Sequence, residues 1–510
     1  FVAICLTVMI GMAALAFDFG RVTVTQSELQ SYADNVALAA AGELDGHADS
    51  IARATNAAAN MISDWQTFGT RNKDNTLSGN TDYTLYFYET PNNTATEPAQ
   101  PGELLDASEP ASALKASFVR VEVASHEVDT PLAAAMASLI DNPYEVASVR
   151  AEAVAGFTLA ACDITPMFFC LPQPSLNLTE GQLIKMVSQG GGSEQWGAGN
   201  FGFLAAGENY AFDESGACEP APPGQEDSCA LAASKAVGQC FSQKGVQTKP
   251  GLSVGNMIAG FNTRFDRYNA TSKQYQNDAK FDVDNFAAAP NVLDGWITTA
   301  QGNNCTSEES PPLTMEDPGD PTATVPNPAA TVGLPLDDCF DDVTGLCNGG
   351  RIGNGDFSNG LNQYLEVNYG VGEDLSAIPE WFPTDGTRYD IYKAETANQS
   401  DLQARLMSLG KAESSEPSCQ PPSSSAAADP NRRVIVAAGI DCASYESELN
   451  GGSGVIPVSK FVKMFLTRPS ESDGTGANAV IYAEVIEPIV SGAGNNGAGG
   501  ILHDVVQLYR

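Results

Sequence analysis

The stretch FVAICLTVMIGMAALAF, residues 1–17, decides the fold, because it contains no charged residue. As an α-helix it would extend about 26 Å, slightly less than the roughly 30 Å of a bilayer's hydrocarbon core. Its second half is rich in Gly and Ala, which would allow another helix to approach closely. We therefore expect a transmembrane or assembly helix that packs against neighbours. A signal peptide fits poorly, since no small-residue cleavage site follows, and we expect a basic segment upstream in the precursor.

The helical pattern continues through residues 18–62. Apolar or small side chains recur on one helical face, at Leu29, Ala33, Val36, Ala40, Leu44, Ala48 and Ile51. Acidic side chains occupy the opposite face. This pattern supports either an amphipathic helix lying on its own domain or a continuous rod of roughly 60 residues that packs with copies of itself. We expect the assembly residues to include Phe1, Leu6, Met9, Phe17, Asp18, Arg21, Leu29 and Val36, with Asp18 and Arg21 marking the end of the apolar zone.

Residues 17–41 are similar to a segment of a known protein family. The sequence FDFGR at 17–21, followed by LQ-x-x-AD-x-x-ALAAA at 29–41, resembles the N-terminal module of TadG-like proteins of the bacterial Tad/Flp pilus system. The segments CDITPMFFC, GAGNFGF, GFNTRFD and VVQLYR, which begin at residues 162, 197, 260 and 505, also resemble such chains. The resemblance implies a pilus-associated, membrane-anchored or pilin-like component outside the cytoplasm. Cys5 stands where type IV pilins carry Glu.

Cysteine usage points to an oxidising compartment. Ten cysteines lie outside the apolar stretch: Cys162, Cys170, Cys218, Cys229, Cys240, Cys305, Cys339, Cys347, Cys419 and Cys442. The chain has no CxxC pair and three His, so five disulfides fit better than zinc sites. The simplest pairing joins cysteines that are close in sequence, namely Cys162–Cys170, Cys339–Cys347 and Cys419–Cys442.

The formal net charge of −37 argues against nucleic acid as a partner, because an acidic surface repels phosphate backbones.

The fold class is predicted as α+β in three parts. The N-terminal helix, residues 1–60, precedes a small pilin-like α/β module at 61–160 and a larger mixed-sheet, disulfide-bonded ectodomain at 161–510. Strands are predicted at 83–89, 117–125, 146–159, 432–440, 459–468, 479–490 and 501–510, and helices at 131–140, 227–242 and 398–410. Pro-rich or acidic loops are expected at 213–228, 303–333 and 411–431.

Three segments contain residue types that suit catalysis or metal binding. Gly251-Leu-Ser253-Val-Gly255 matches the GxSxG pattern of serine hydrolases, but Thr248-Lys-Pro250 before it does not read as a core strand. The acidic cluster Asp337, Asp338, Asp341 and Asp342 could hold a structural calcium ion, as could Gly353-Asn-Gly-Asp356, although neither has EF-hand spacing. The more ordinary interpretation of both is a solvated acidic loop in a chain with a net charge of −37. No other cofactor is expected.

These observations favour a non-enzymatic structural subunit of an extracellular Tad/Flp-type pilus or pilus-like filament. Its expected partners are copies of itself in a helical filament, or other pilus subunits, and the membrane before assembly. A single-span, membrane-anchored protein for pilus assembly or adhesion is the alternative. An extracellular hydrolase acting through Ser253 is the third hypothesis.

Overall fold

The chain forms two compact units in the computed structural model. The first contains residues 1–160 and most of the last strand, and the second contains residues 161–490. The structure describes residues 2–45, 48–60, 64–65, 67, 76–77, 82–89, 104–139, 144–162, 164–172, 178–188, 196–205, 218, 225–233, 240–242, 245–249, 254–277, 281, 283–301, 304–341, 347–372, 377–421, 429–451, 455–473, 476, 478–489 and 502–509.

In its described residues the first unit combines four helices with a sheet whose central pairs are antiparallel. Its helices are α1 (Val2–Ala41), α2 (Ser50–Asn60), α3 (Pro110–Lys115) and α4 (Pro131–Leu139). Its strands are β1 (Asp64–Trp65), β2 (Thr76–Leu77), β3 (Tyr83–Tyr88), β4 (Leu104–Leu105), β5 (Phe118–Val128), β6 (Ala147–Cys162) and, from the end of the chain, β21 (Leu502–Tyr509). In the main sheet β3 lies between β4 and β5, β5 pairs with β6, and β21 pairs with the other edge of β6.

The core of this unit lies between the sheet and the second half of α1. Leu29, Val36 and Ala40 are fully buried with Val119, Val121 and other inward residues of the strands. Two glutamines on α1 fasten it to β6, because the Gln26 and Gln30 side-chain amides each donate to a backbone carbonyl of that strand at 2.9 Å. The helix therefore lies on its own sheet from about Leu29 onward.

The N-terminal helix is not one continuous rod. It ends at Ala41, where Gly42 and Leu44 donate to helical carbonyls at 3.0 Å, and α2 begins at Ser50. The rod interpretation is therefore wrong, and the other one, an amphipathic helix on its own domain, describes the second half of α1. The salt bridges from Arg53 to Glu43 and Asp45 join α2 to the connecting turn.

The second unit is built on a mixed sheet of nine strands. The strands are β7 (Met167–Cys170), β8 (Leu183–Ser188), β9 (Asn200–Leu204), β11 (Val246–Lys249), β16 (Val434–Ile440), β17 (Val455–Ile456), β18 (Lys460–Leu466), β19 (Glu471–Ser472) and β20 (Ala479–Ile489); β10 (Cys240–Ser242) lies outside this sheet. The helices are α5 (Glu226–Ala232), α6 (Val254–Asn262), α7 (Gln274–Asn277), α8 (Val283–Phe286), α9 (Asp338–Asp341), α10 (Ser358–Tyr369), α11 (Arg388–Ala397), α12 (Gln399–Ser408) and α13 (Glu446–Gly451).

Six of these strands close into a ring. They follow the order β7, β16, β18, β20, β8, β9, and β9 returns to β7. The pairs β7–β16 and β8–β9 are parallel, whereas the other four are antiparallel. Met167 and Phe169 of β7 face one cluster, and Phe168 and Cys170 face another, as the two-residue period of a strand requires. Closure leaves these central strands without a free edge.

Four further strands form two separate hairpins. They are β12 (Trp296–Gln301) with β13 (Asn304–Glu309), and β14 (Thr314–Asp317) with β15 (Asp320–Pro326). The prediction of a loop at 303–333 is therefore wrong. The prolines of the β14–β15 hairpin lie in its turn or at strand ends, apart from Pro321 in β15. Pro321 has no partner residue in the described register, so its missing N–H costs no hydrogen bond between the two strands.

The predicted α+β class, with an N-terminal helix, a β-rich remainder and disulfides, is confirmed. Most predicted strands appear within a few residues of the expected bounds, and the helix at 398–410 appears as α12. The segment 227–242 differs, because α5 ends at Ala232 and β10 begins at Cys240. The last strand also pairs with β6 of the first unit, away from the second unit's sheet. Within the described residues, we find no helix with the length and apolarity needed to cross a membrane.

Candidate assembly surface

The α1 helix has two halves that differ sharply in exposure. In its first half large apolar side chains are open to solvent: Val2, Met9, Ile10, Met12, Leu15, Phe17 and Phe19. Met9 is 70% exposed and Phe17 57% exposed, whereas Leu29 and Val36 are 0% exposed. A helix with large apolar residues on its solvent side is a feature of binding surfaces, because exposed apolar patches of this size are uncommon on isolated soluble proteins.

The predicted assembly residues therefore separate into two groups. Met9 and Phe17 belong to the exposed half, while Leu29 and Val36 hold α1 on the sheet of the same chain. The expectation that Leu29 and Val36 contact other copies is wrong for this reason. Phe1 lies outside the described residues, as does the side chain of Leu6.

Asp18 connects α1 to α4. Its carboxylate oxygen Oδ2 accepts a hydrogen bond of 2.6 Å from the backbone N–H of Ala133, in the first turn of α4. The side chain is 5% exposed. A carboxylate at a helix N-terminus satisfies a free N–H group and opposes the positive end of the helix dipole. Asp18 thus acts within the chain, and Arg21, one turn further along α1, is partly buried.

The α4 helix extends the apolar surface. Its sequence PLAAAMASL contains no charge, and almost all of its described side chains are exposed or only partly buried. Leu132 is 40% and Met136 56% exposed. Sequence reasoning predicted this helix but missed its role. The signal was present: an exposed helix without a polar face is unusual in a chain with a net charge of −37.

The cysteines form disulfides, although two of the three predicted local pairs are wrong. The described bridges are Cys170–Cys442, Cys218–Cys229, Cys305–Cys419 and Cys339–Cys347. Cys162 is also disulfide-bonded, and Cys5 is free and exposed. Only the pair Cys339–Cys347 was predicted. Cys170 at the end of β7 and Cys442 just after β16 meet because those strands are parallel neighbours, which sequence distance does not reveal.

The acidic cluster is largely engaged in protein contacts. Asp337 is fully buried and forms an ion pair with Arg388, which is also paired with Glu484 at 2.9 Å. Asp338 accepts a hydrogen bond of 3.1 Å from the Asn359 backbone at the start of α10. The described residues contain no group of three or more acidic, His or Cys side chains arranged for a metal ion.

Calcium therefore stays a prediction without a described ligand set. Asp342 and the side chain of Asp341 lie outside the described residues. At the second candidate, Asn354 and Asp356 accept hydrogen bonds from backbone groups two residues further on. The positive φ of Gly355, 82°, allows its N–H to donate to Asp337 at 2.7 Å.

A strand precedes the GxSxG segment. Val246–Lys249 forms β11, which pairs with β9 and β17, and α6 begins at Val254. Thr248 and Lys249 thus belong to a strand, although alternate side chains of β11, including Lys249, are exposed. Gly251, Leu252 and Ser253 lie outside the described residues, as does the side chain of His503. A catalytic arrangement at Ser253 is not described, and the absence of enzymatic activity stays a prediction.

Comparison with known proteins supports the resemblance at the N-terminus. Residues 1–43 match the family model of Flp pilus-assembly TadE/G-like proteins. The match covers α1 and the turn after it, including the exposed half and Asp18, so this segment is TadE/G-like. No curated protein matches the chain, and no solved structure does. The match and the disulfides are compatible with a location at the cell surface or outside the cell.

Proposed function

We propose that this chain is a structural, non-enzymatic subunit of a Tad/Flp-type pilus or a pilus-like filament. The observation that carries the proposal is the division of α1: its second half is buried on the sheet of its own chain, whereas its first half exposes large apolar side chains. The TadE/G-like match over residues 1–43 supports a pilus-related role for the same helix.

The exposed half supplies enough apolar surface for stable association. Full burial of one large apolar side chain contributes about 1.5–3 kcal/mol. Seven such side chains lie on α1 between Val2 and Phe19 among those that the structure describes. Their combined burial would reach the order of 10 kcal/mol before the entropy lost on association is subtracted. In a filament the first halves of neighbouring copies would cover one another, with the small residues of α4 allowing close approach at the level of Asp18.

Electron microscopy of the secreted fraction tests this proposal. The wild-type chain should be the repeating unit of filaments. Met9→Glu places a charge in the exposed half of α1 and should abolish the filaments while both units stay folded. Met407→Glu is the matched control, because Met407 on α12 is 72% exposed and Met9 is 70% exposed; this variant should assemble normally.

Two results would contradict the proposal. Filaments with normal yield from Met9→Glu would show that the first half of α1 does not hold the subunits together. Wild-type material found only as a monomer in the membrane fraction would instead favour a single-span pilus-assembly or adhesion protein.

A further inference from the structure

A cavity of about 340 Å³ lies within the second unit. It is bounded by residues 294–296 at the start of β12, by the segment 331–336, by α10, and by the turn 468–471 after β18. None of these residues belongs to the exposed half of α1 or to α4, so the cavity is separate from the surface that we assign to assembly.

The walls of the cavity are rigid. A Cβ atom on Gly333 would lie 2.8 Å from the carbonyl oxygen of Asp294, so the two backbones are in close contact. The side chain of Asn368 accepts a hydrogen bond of 3.0 Å from the N–H of Val332, and the Glu413 carboxylate accepts one of 2.7 Å from the N–H of Asp294. A cavity held in this way exists before a ligand arrives, which reduces the entropy lost on binding.

Arg468 is the cationic side chain among the residues that line the cavity. One terminal nitrogen of its guanidinium donates to the carbonyl of Leu334 at 2.9 Å. Its Nε is buried and has no acceptor, and it forms no salt bridge, among the residues that the structure describes. Desolvation lowers the pKa of Arg468, and its guanidinium lies 5.2 Å from the ring centre of Tyr482. A guanidinium has five N–H donors, so the donors of Arg468 on the cavity side remain for a bound carboxylate.

The acidic groups near Arg468 do not prevent an anion from entering. Asp294 is paired with Arg267 at 2.8 Å, which balances its charge. Burial raises the pKa of Glu413, behind Thr331, to about 8, so this side chain is mostly uncharged at neutral pH. Glu471 is an exposed lining residue whose charge acts on Arg468, but it forms no salt bridge with it among the described residues, and dissolved salt weakens the effect of an exposed charge.

The remaining lining groups suit a hydroxylated ring. Trp296 lines the wall and is only partly buried, with the guanidinium of Arg267 4.2 Å from its ring centre. Gln363 and Glu471 are exposed lining residues that can donate to or accept from hydroxyl groups. We propose that this cavity binds a small hydroxylated carboxylate, of the chemistry of a uronic acid, with its carboxylate on Arg468 and its hydroxyls on Gln363 and Glu471.

Isothermal titration of the full chain with sodium glucuronate tests the proposal. Glucose serves as the neutral probe, and acetate serves as the carboxylate without hydroxyls. Glucuronate should bind at least tenfold more tightly than either probe. Arg468→Gln should weaken glucuronate binding at least tenfold, whereas Arg53→Gln, a partly exposed arginine of the first unit, should leave it unchanged.

A second variant covers the case in which Arg468→Gln does not fold. Gln363 is exposed, so Gln363→Ala should fold and should weaken glucuronate binding at least threefold. The proposal is overturned by the absence of heat at millimolar glucuronate, by equal binding of glucuronate and glucose or of glucuronate and acetate, or by full affinity in the folded variants. These outcomes do not depend on filament formation.

Discussion

The carboxylate of Asp18 lies against the first turn of α4, and that of Glu413 accepts from the backbone N–H groups of Asp294 and Gly295. Each of these side chains is a single acid among 63 acidic residues, and each accepts hydrogen bonds from backbone N–H groups of a distant segment. At the scale of one residue, the structure thus assigns roles that neither the charge pattern nor local spacing distinguishes.

Substitution of Asp18 should loosen α4. In Asp18→Ala the N–H of Ala133 loses its acceptor, and loss of an N-terminal cap costs about 1 kcal/mol. We expect faster amide hydrogen exchange throughout α4, a lower filament yield and an unchanged second unit. Asp18→Asn, which keeps an acceptor oxygen, should lie between wild type and Asp18→Ala. Equal exchange of α4 amides in all three proteins would show that Asp18 does not hold this helix.

Glu413 should make the stability of the second unit depend on pH. Burial, and then the nearby charge of Asp294, raise its pKa from 4.5 to about 8, although hydrogen bonds from Thr331 and backbone groups act in the opposite direction. The folded protein therefore retains a proton that the unfolded chain releases as the pH rises above 4.5. The stabilisation that this retained proton contributes is greatest below pH 4.5 and is lost as the pH rises through about 8.

Thermal unfolding between pH 5 and pH 8 measures this effect. The wild-type midpoint should fall with rising pH by about 5 °C more than that of Glu413→Gln, which has no proton to lose. Glu416→Gln is the control, since Glu416 is exposed three residues further along. A control variant that flattened the profile as much as Glu413→Gln would assign the effect to net charge instead.

At the scale of the element, α1 is one helix that serves two purposes. Its second half is part of the core of the first unit, and its first half is exposed. The sequence predicted both an apolar stretch and an amphipathic stretch. It did not predict at which residue α1 changes from an exposed helix to one packed on its own sheet. That point is set by where the sheet covers α1: Val22 is packed against the core in part, and full burial begins near Leu29.

Substitution of two valines on α1 compares its buried half with its exposed half. Val36→Asp would bury an unpaired charge at a position that is 0% exposed, and should cost several kcal/mol and unfold the first unit. Val24→Asp changes a side chain that is 41% exposed and should leave the unit folded. Circular dichroism and proteolysis report the outcome. Similar stability in both variants would be incompatible with the burial of the second half.

At the scale of the whole molecule, long-range disulfides hold the second unit together. Cys170 and Cys442 are separated by 272 residues, whereas Cys339 and Cys347 are separated by 8. In the chain-entropy treatment, loops of these lengths correspond to about 5–6 kcal/mol and about 2–3 kcal/mol of stabilisation. Among the described residues of this unit, five buried arginines also bind carbonyl or carboxylate oxygens from distant segments: Arg264, Arg267, Arg388, Arg432 and Arg433.

Removal of the two bridges in turn tests this difference. The double substitution Cys170→Ser with Cys442→Ser should lower the unfolding midpoint of the second unit more than Cys339→Ser with Cys347→Ser. Calorimetry on both variants gives the comparison, and the first unit should unfold as in wild type. A larger loss from the short bridge would mean that loop length does not set the contribution of these disulfides.

The sequence by itself determined the local features of this protein. They are the uncharged N-terminal stretch, the alternation of apolar and polar residues in the late strands, the even number of cysteines outside that stretch, and the TadE/G-like motif at residues 17–41. Each is determined by neighbours within a few residues, so local propensity and periodicity are sufficient to predict it. Only the tertiary structure decided that Cys170 meets Cys442, that the last strand pairs with β6, and that Asp18 binds α4. Those contacts join segments more than 100 residues apart, and their partners are chosen by how the buried surfaces pack, which sequence spacing does not encode.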